Sequence, residues 1–375
     1  MNPAGNSVGS SALGSSKTAP GGSLRFYEID GLRFIAALIV VFYHYTFFGY
    51  AEDGRNPVSF LELTSVTRYG YLGVDLFFII SGFVILMTAQ NGNPVRFVIS
   101  RMVRIYPAFW VSVSISAVAM ALFKHPALEI SLPLWLKNLA LVGSYVGVPF
   151  VDGVYWSLLV ELKFYFLIFL VLVFRSLNFM EWLLGLWAVL IGILLFAGGP
   201  GLLHFFFFPD WAHYFIAGAM FYVIRTQGFT WYRVLLIAWC FVLSSYASLL
   251  MTAELTEKFG SEFHWPVTVL IIGGFYLFFT AIAFGITNGI GHPSLIAIGA
   301  LTYPLYLLHQ NIGYILLNLG SGLNRFALLC GVIAIAVFIS WLVNVLVEDR
   351  FNPVFKQWLM SLARLLRVDR IYASS

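Results

Sequence analysis

Charge is what this sequence has least of. Lys, Arg, Asp and Glu make up 10% of its 375 residues, against about 25% in soluble globular domains. Hydrophobic residues reach 60% and the mean hydropathy is +0.88. Such a chain is too apolar to be a disordered polymer and cannot cover itself with the polar surface of an ordinary soluble enzyme. Cysteine is nearly missing too: Cys240 and Cys330 each sit inside an apolar run. They supply no disulfide framework, Cys-x-x-Cys pair or cysteine metal site, and both are expected to pack in the interior. No Asn-x-Ser/Thr sequon occurs. The formal net charge is +4, but the basic residues are scattered through short breaks between apolar runs. A nucleic-acid binder would gather them on one face, so no nucleic-acid partner is expected.

What the sequence does have is one theme repeated. After a tail over 1–23 rich in Gly, Ser, Ala and Pro, read as disordered, apolar runs alternate with short polar breaks. A helix crosses the hydrocarbon core with about 20 apolar residues. The runs predict ten spans: 32–50, 71–89, 105–123, 154–174, 180–198, 203–224, 231–251, 265–286, 295–318 and 326–347. Pro209 and Asp210 interrupt the sixth, and 130–142 is short enough to lie at the interface. The expected fold is all-α and polytopic, a membrane domain over 24–350 with a short basic cytoplasmic tail over 351–375 and no separate soluble domain. If the N-terminus is cytoplasmic, the inner segments hold Arg96, Arg101, Arg104, Arg175 and most other basic residues, and the outer ones hold fewer. The positive-inside rule therefore predicts both termini in the cytoplasm, in a bacterial inner membrane.

A titratable side chain inside a span costs about 2.5–3.5 kcal/mol on insertion scales and is a functional hypothesis by default. Arg33 and His44 share the first span, eleven positions apart, which is three turns plus about 20°. They project from one face, about 16 Å apart along the axis. A snorkelling arginine and a hydrogen-bonded interhelical histidine explain the same pair. Counting rise per residue, His44, Glu161 and His309 fall at nearly one depth on three spans, which favours a shared polar cavity. Asp75 lies nearer the outer surface, where it either serves the site or has a structural role, capping its helix or pairing with Arg68; His213 is a weaker candidate. Arg96, Arg101 and Arg104 precede Tyr106-Pro107. They read either as positive-inside charge or as a phosphate-binding surface, for which the planar guanidinium fork is suited.

Six blocks in order carry a resemblance. They are Asp30-Gly-Leu-Arg33 with His44; Gly73-Val-Asp75 through Ser81-Gly82-Phe83; Arg101-x-x-Arg104-Ile-Tyr106-Pro107; Trp156-Ser157-x-x-x-Glu161; Thr302-Tyr303-Pro-Leu-Tyr306-Leu-Leu-His309; and Glu348-x-Arg350-x-x-Pro353. Over about Ile29 to Pro353 the chain resembles the acyltransferase-3 family of integral-membrane, acyl-CoA-dependent O-acyltransferases. Thr302 stands where that family often has Ser. The resemblance implies transfer of an acyl group, commonly acetyl, from acyl-CoA to a hydroxyl of a carbohydrate: an exopolysaccharide, O-antigen or lipid-linked glycan. It implies His44 as the essential histidine, with Arg33 as its paired arginine. Arg101 and Arg104 match positions linked with CoA binding, and Glu161 matches the family's acidic residue. On this reading His44 is the general base, Glu161 orients it, and His309 is a second proton carrier or substrate contact. Expected partners are acyl-CoA, the carbohydrate acceptor and membrane lipid, with no metal, and no appended esterase-like domain is expected. The rival reading is a transporter or proton-coupled flippase, in which the same intramembrane residues form a relay.

Overall fold

The computed structural model describes residues 26–366 apart from 53, 126 and 142. The expected tail over 1–23, together with Lys17, Arg25, Arg367 and Arg370, lies outside them. The described residues are helical, with no strand. Ten long helices follow one another: α1 Tyr27–Tyr43, α2 Leu72–Ala89, α3 Pro94–Phe123, α4 Trp156–Val173, α5 Met180–Ala197, α6 Pro209–Gln227, α7 Trp231–Phe259, α8 Trp265–Ala283, α9 Leu295–Leu319 and α10 Arg325–Val343. An eleventh, α11, covers Phe351–Leu365. Local signals set several boundaries. Asn93 accepts from the Arg96 N–H with Pro94 at the first position of α3, Thr230 caps α7 and Asn324 caps α10, each satisfying donors the helix cannot pair itself.

Eight helical segments are long and apolar enough to cross a membrane. Of the ten expected spans, α6 and α9 fall outside that set, although they run 19 and 25 residues. Burial gives the reason. Residues 212–224 of α6 and 304–315 of α9 are buried without a break, so these helices face protein on every side. They can carry His213 or His309, Gln310 and Asn311 without showing them to lipid. The outer helices show the opposite pattern, with Leu186, Leu270, Leu277 and Phe338 exposed. The molecule is an all-α polytopic membrane protein with its polar helices inside. Cys240 is buried as expected, but Cys330 is exposed, because its side of α10 turns away from the bundle. The helix Leu132–Asn138 has seven residues, far too few to cross.

Two close approaches fix the centre. A Cβ on Gly82 would lie 2.0 Å from the Phe215 carbonyl oxygen, and one on Gly218 would lie 1.9 Å from that of Ile79. Glycine on both sides lets α2 and α6 touch backbone to backbone, and the helices run parallel, with Phe83 against Tyr222 at 5.3 Å. Helix α1 runs parallel to α9: a Cβ on Gly299 would meet Asp30, and Gly313 lies against the Tyr45 ring. The α1–α9 pairing brings the first and ninth helices together over their whole length.

Candidate active site

Helix α1 widens into a π turn over His44–Phe48, an irregularity common at functional sites. His44 opens that turn and is nine-tenths buried (9% exposed). Its Nδ1 lies 2.9 Å from the Val40 carbonyl oxygen and 3.1 Å from His309 Nε2. His309 Nδ1 lies 2.9 Å from the Tyr306 oxygen and 3.2 Å from that of Leu305. Carbonyl oxygens only accept, so in both rings Nδ1 is the protonated nitrogen and donates. His309 Nε2 is then a bare acceptor in the neutral ring, and the His44 Nδ1–H is shared between it and Val40. His44 Nε2 is left unprotonated, with no hydrogen-bond partner among the described residues. The Tyr45 hydroxyl donates to the His309 backbone oxygen at 2.8 Å, locking α9 against the π turn.

His44 lines a chamber of about 620 Å³. Its walls come from one end of the bundle: the last turns of α1 and α7 and the first turns of α2, α4 and α6. Toward the other end, Val74 and Tyr306 are shared with a passage of only about 60 Å³ that also touches Ser157 and Thr302. The passage shares Arg33, Ser81, Arg104, Glu161 and Tyr303 with a cleft of about 270 Å³, which adds Arg101. Arg33 and Arg101 each bury an Nε that has no hydrogen-bond partner among the described residues. Arg104 pairs with Glu348 at 3.1 Å and stacks on the Tyr303 ring at 5.2 Å. Partnerless guanidinium nitrogens in a polar cleft suit an incoming anion.

A family model described as an acyltransferase domain matches residues 26–345. The chain belongs to the acyltransferase-3 family. It is 29% identical over 150 residues to the acyltransferase MdmB of Streptomyces mycarofaciens, covering 38% of each chain. It is 32% identical over 119 residues to the peptidoglycan O-acetyltransferase OatA of Listeria monocytogenes, covering 30% of this chain and 15% of that one. It is 34% identical over 101 residues to protein 2 in the picA locus of Rhizobium radiobacter, covering 25% and 44%. The chain thus spans less than half the length of each. No solved structure matches.

Among the residues singled out from the sequence, the structure brings His44 to His309 and gathers Arg33, Arg101, Arg104 and Glu161 around the cleft. It separates Glu161 from His44. The Ser81 hydroxyl donates to Glu161 Oε1, so Glu161 faces the arginines and does not orient the imidazole; that position belongs to His309. Counting rise per residue put His44, Glu161 and His309 at one depth, but Glu161 sits beside Ser81 and lines the cleft with Arg33, toward the other end of the bundle from His44. Asp75 does not pair with Arg68. It lines the chamber beside Tyr214, while Arg68 donates to the Glu262 backbone oxygen at 2.6 Å. His213 is held by Ser244 Oγ at 2.9 Å, away from the chamber. Sequence reasoning missed Asp152, fully buried, which accepts from the Asn311 and Val154 N–H groups and ties the start of α4 to α9. It also missed the hydroxyl pair Ser157–Tyr306 at 2.6 Å. Ser157 and Tyr306 belong to blocks that carry the resemblance, so a signal was present for them without a role attached, whereas Asp152 lies outside every block.

Proposed function

We propose that this protein moves an acyl group, acetyl as the expected one, from acyl-CoA to a carbohydrate hydroxyl, such as that of an exopolysaccharide, O-antigen or lipid-linked sugar. The observation that carries the reading is the His44–His309 pair, whose bare His44 Nε2 serves a chamber that shares wall residues with a narrow pocket beside the arginines. An acyl transfer to an alcohol needs a base at the hydroxyl and a site that holds the thioester. The similarity to a peptidoglycan O-acetyltransferase supports a carbohydrate acceptor.

Arg33, Arg101 and Arg104 hold phosphates of acyl-CoA, and the pantetheine arm runs through the passage toward His44. Arg33 and His44 are about 16 Å apart along the helix, a span an extended arm can cover. His44 Nε2 takes the acceptor proton as the hydroxyl oxygen attacks the thioester carbonyl carbon. The imidazolium charge is shared through Nδ1–H with His309 Nε2 and the Val40 oxygen, much as an acceptor stabilises a catalytic histidine elsewhere. Collapse of the tetrahedral intermediate breaks the C–S bond, and the departing thiolate regains the proton from His44. The products are an ester and free CoA thiol. The Lys/Arg asymmetry supports a bacterial inner-membrane setting with both termini cytoplasmic, which turns the arginine cleft toward the cytoplasm and the chamber toward the opposite face.

The test is CoA release by the purified protein given acetyl-CoA and a sugar acceptor. His44→Ala should lower kcat by about 10²–10⁴-fold while still reaching the membrane. Arg104→Ala should raise KM for acetyl-CoA and leave the acceptor KM unchanged. A protein that only carries solutes releases no CoA, and undiminished turnover by His44→Ala rejects the base.

A further inference from the structure

The two ends of the cavity system differ in sign. The cleft is edged by arginines, whereas the chamber carries Glu52, Asp75, Asp210 and Glu254 against one cation, Arg55. Glu52 is neutralised by Lys258 at 3.1 Å and Arg55 at 3.6 Å. Among the described residues, Asp75, Asp210 and Glu254 have no cation within ion-pair distance. Asp210 and Glu254 are exposed, so they stand at the mouth, and Asp75 is nine-tenths buried inside. Two aromatic rings, Trp156 and Trp211, packed against each other with centroids 5.0 Å apart, line the same space. Flat apolar faces beside carboxylate acceptors suit a ring that presents C–H on its faces and O–H at its rim. The unprotonated His44 Nε2 belongs to that chamber and needs such a hydroxyl.

We propose that the chamber takes an uncharged or amino-substituted sugar and shuts out acidic sugars, through Asp210 and Glu254 at its mouth and Asp75 within. This rests on the acyl-transfer reading for what happens to the bound sugar, but the charge selection is a property of the chamber itself. A uronic acid would have to bring its carboxylate past Asp210 and Glu254 at the mouth, where like charges repel. Specificity of this kind works by rejecting the wrong ligand as much as by holding the right one.

The test uses the full chain in nanodiscs of zwitterionic lipid at pH 7, so that the membrane adds no net charge. Methyl glucoside, methyl glucosaminide and methyl glucuronide are titrated against tryptophan fluorescence, with Trp211→Phe locating the signal, and CoA release is followed in parallel. The glucoside and glucosaminide should quench. The glucuronide should bind at least 10-fold more weakly, about 1.4 kcal/mol, and the double substitution Asp210→Asn, Glu254→Gln should narrow that gap. Equal binding of glucoside and glucuronide, or a gap that the double substitution leaves unchanged, overturns the charge selection even if acyl transfer proceeds. Charge-selective quenching with no CoA release from any acceptor overturns acyl transfer and leaves the selection standing. Silence in both readouts overturns both.

Discussion

At the scale of single residues, the tautomers of two histidines organise the candidate site. His309 is pinned by two carbonyl oxygens on its own helix, so it can only offer Nε2 as an acceptor to His44. That makes His309 a positioning residue for the proposed base. His309→Ala should lower kcat by about 10²-fold with little change in either KM. His309→Gln, which can keep an acceptor near His44 Nδ1, should recover part of the loss; equal defects in the two variants, read by steady-state kinetics, would argue for a merely structural role. A third histidine, His125, lies in the loop after α3. Its Nδ1 accepts from the Ala127 N–H at 3.2 Å, and its Nε2–H donates to the Arg55 oxygen at 3.0 Å, which requires the neutral ring. Burial holds its pKa below the ordinary histidine value. The unfolded chain therefore takes up this proton first as pH falls. The stability it confers is complete above about pH 6.5 and declines below it. Thermal unfolding at pH 7.5 and pH 5.5 should show that loss, and His125→Asn should make it smaller.

At the scale of elements, the contact between α2 and α6 is the tightest approach to a neighbouring backbone among the described residues. Gly82 and Gly218 each face a backbone carbonyl of the other helix, and backbone cannot swing aside as a flexible side chain does. Gly218→Ala should force the helices apart at an overpacking cost of about 1–3 kcal/mol, visible as a lower melting temperature in detergent. The consequence reaches the chamber, since α2 supplies Asp75 and α6 supplies Asp210 and Trp211. The last elements have a different task. A π turn over Asn344–Glu348 ends α10 and delivers Glu348 to Arg104. Beyond it, α11 buries Phe355 and Leu359 against Ile99 of α3 and leaves Lys356 and Arg364 exposed. This amphipathic pattern is that of a helix lying along a surface. Part of the segment read from sequence as a basic tail is thus an ordered helix braced on α3.

At the scale of the whole molecule, polarity is sorted by position in the bundle. Outer helices present leucine and phenylalanine outward, and the enclosed α6 and α9 hold histidine, asparagine and glutamine. This inverts the soluble arrangement and follows from the solvent: lipid exerts no hydrophobic drive on apolar side chains but penalises exposed polar ones. Leu277 on α8 is 73% exposed. Leu277→Lys should cost about 2.5–3.5 kcal/mol on insertion and reduce the fraction of protein that resists alkaline extraction from membranes. The same change on a soluble surface would be nearly neutral.

The sequence by itself determined the class of molecule and the approximate placing of its long helices, although α3 begins eleven residues before the expected span and α7 runs eight residues past it. Class and placing follow from composition and from a fixed rise per residue. Even the two least apolar runs were legible as helices, though only burial explains why they tolerate polar side chains. What the tertiary structure alone decided was partnership. Rise per residue alone put Glu161 level with His309, yet His44 meets His309 while Glu161 lies with Arg33 and Arg104 at the cleft. Which helix lies beside which is set by long-range fits, such as glycine against carbonyl at Gly82 and Gly218 and tyrosine against glycine at Tyr45 and Gly313. Those fits join residues far apart in the chain, and no local pattern encodes the direction from which a neighbour arrives.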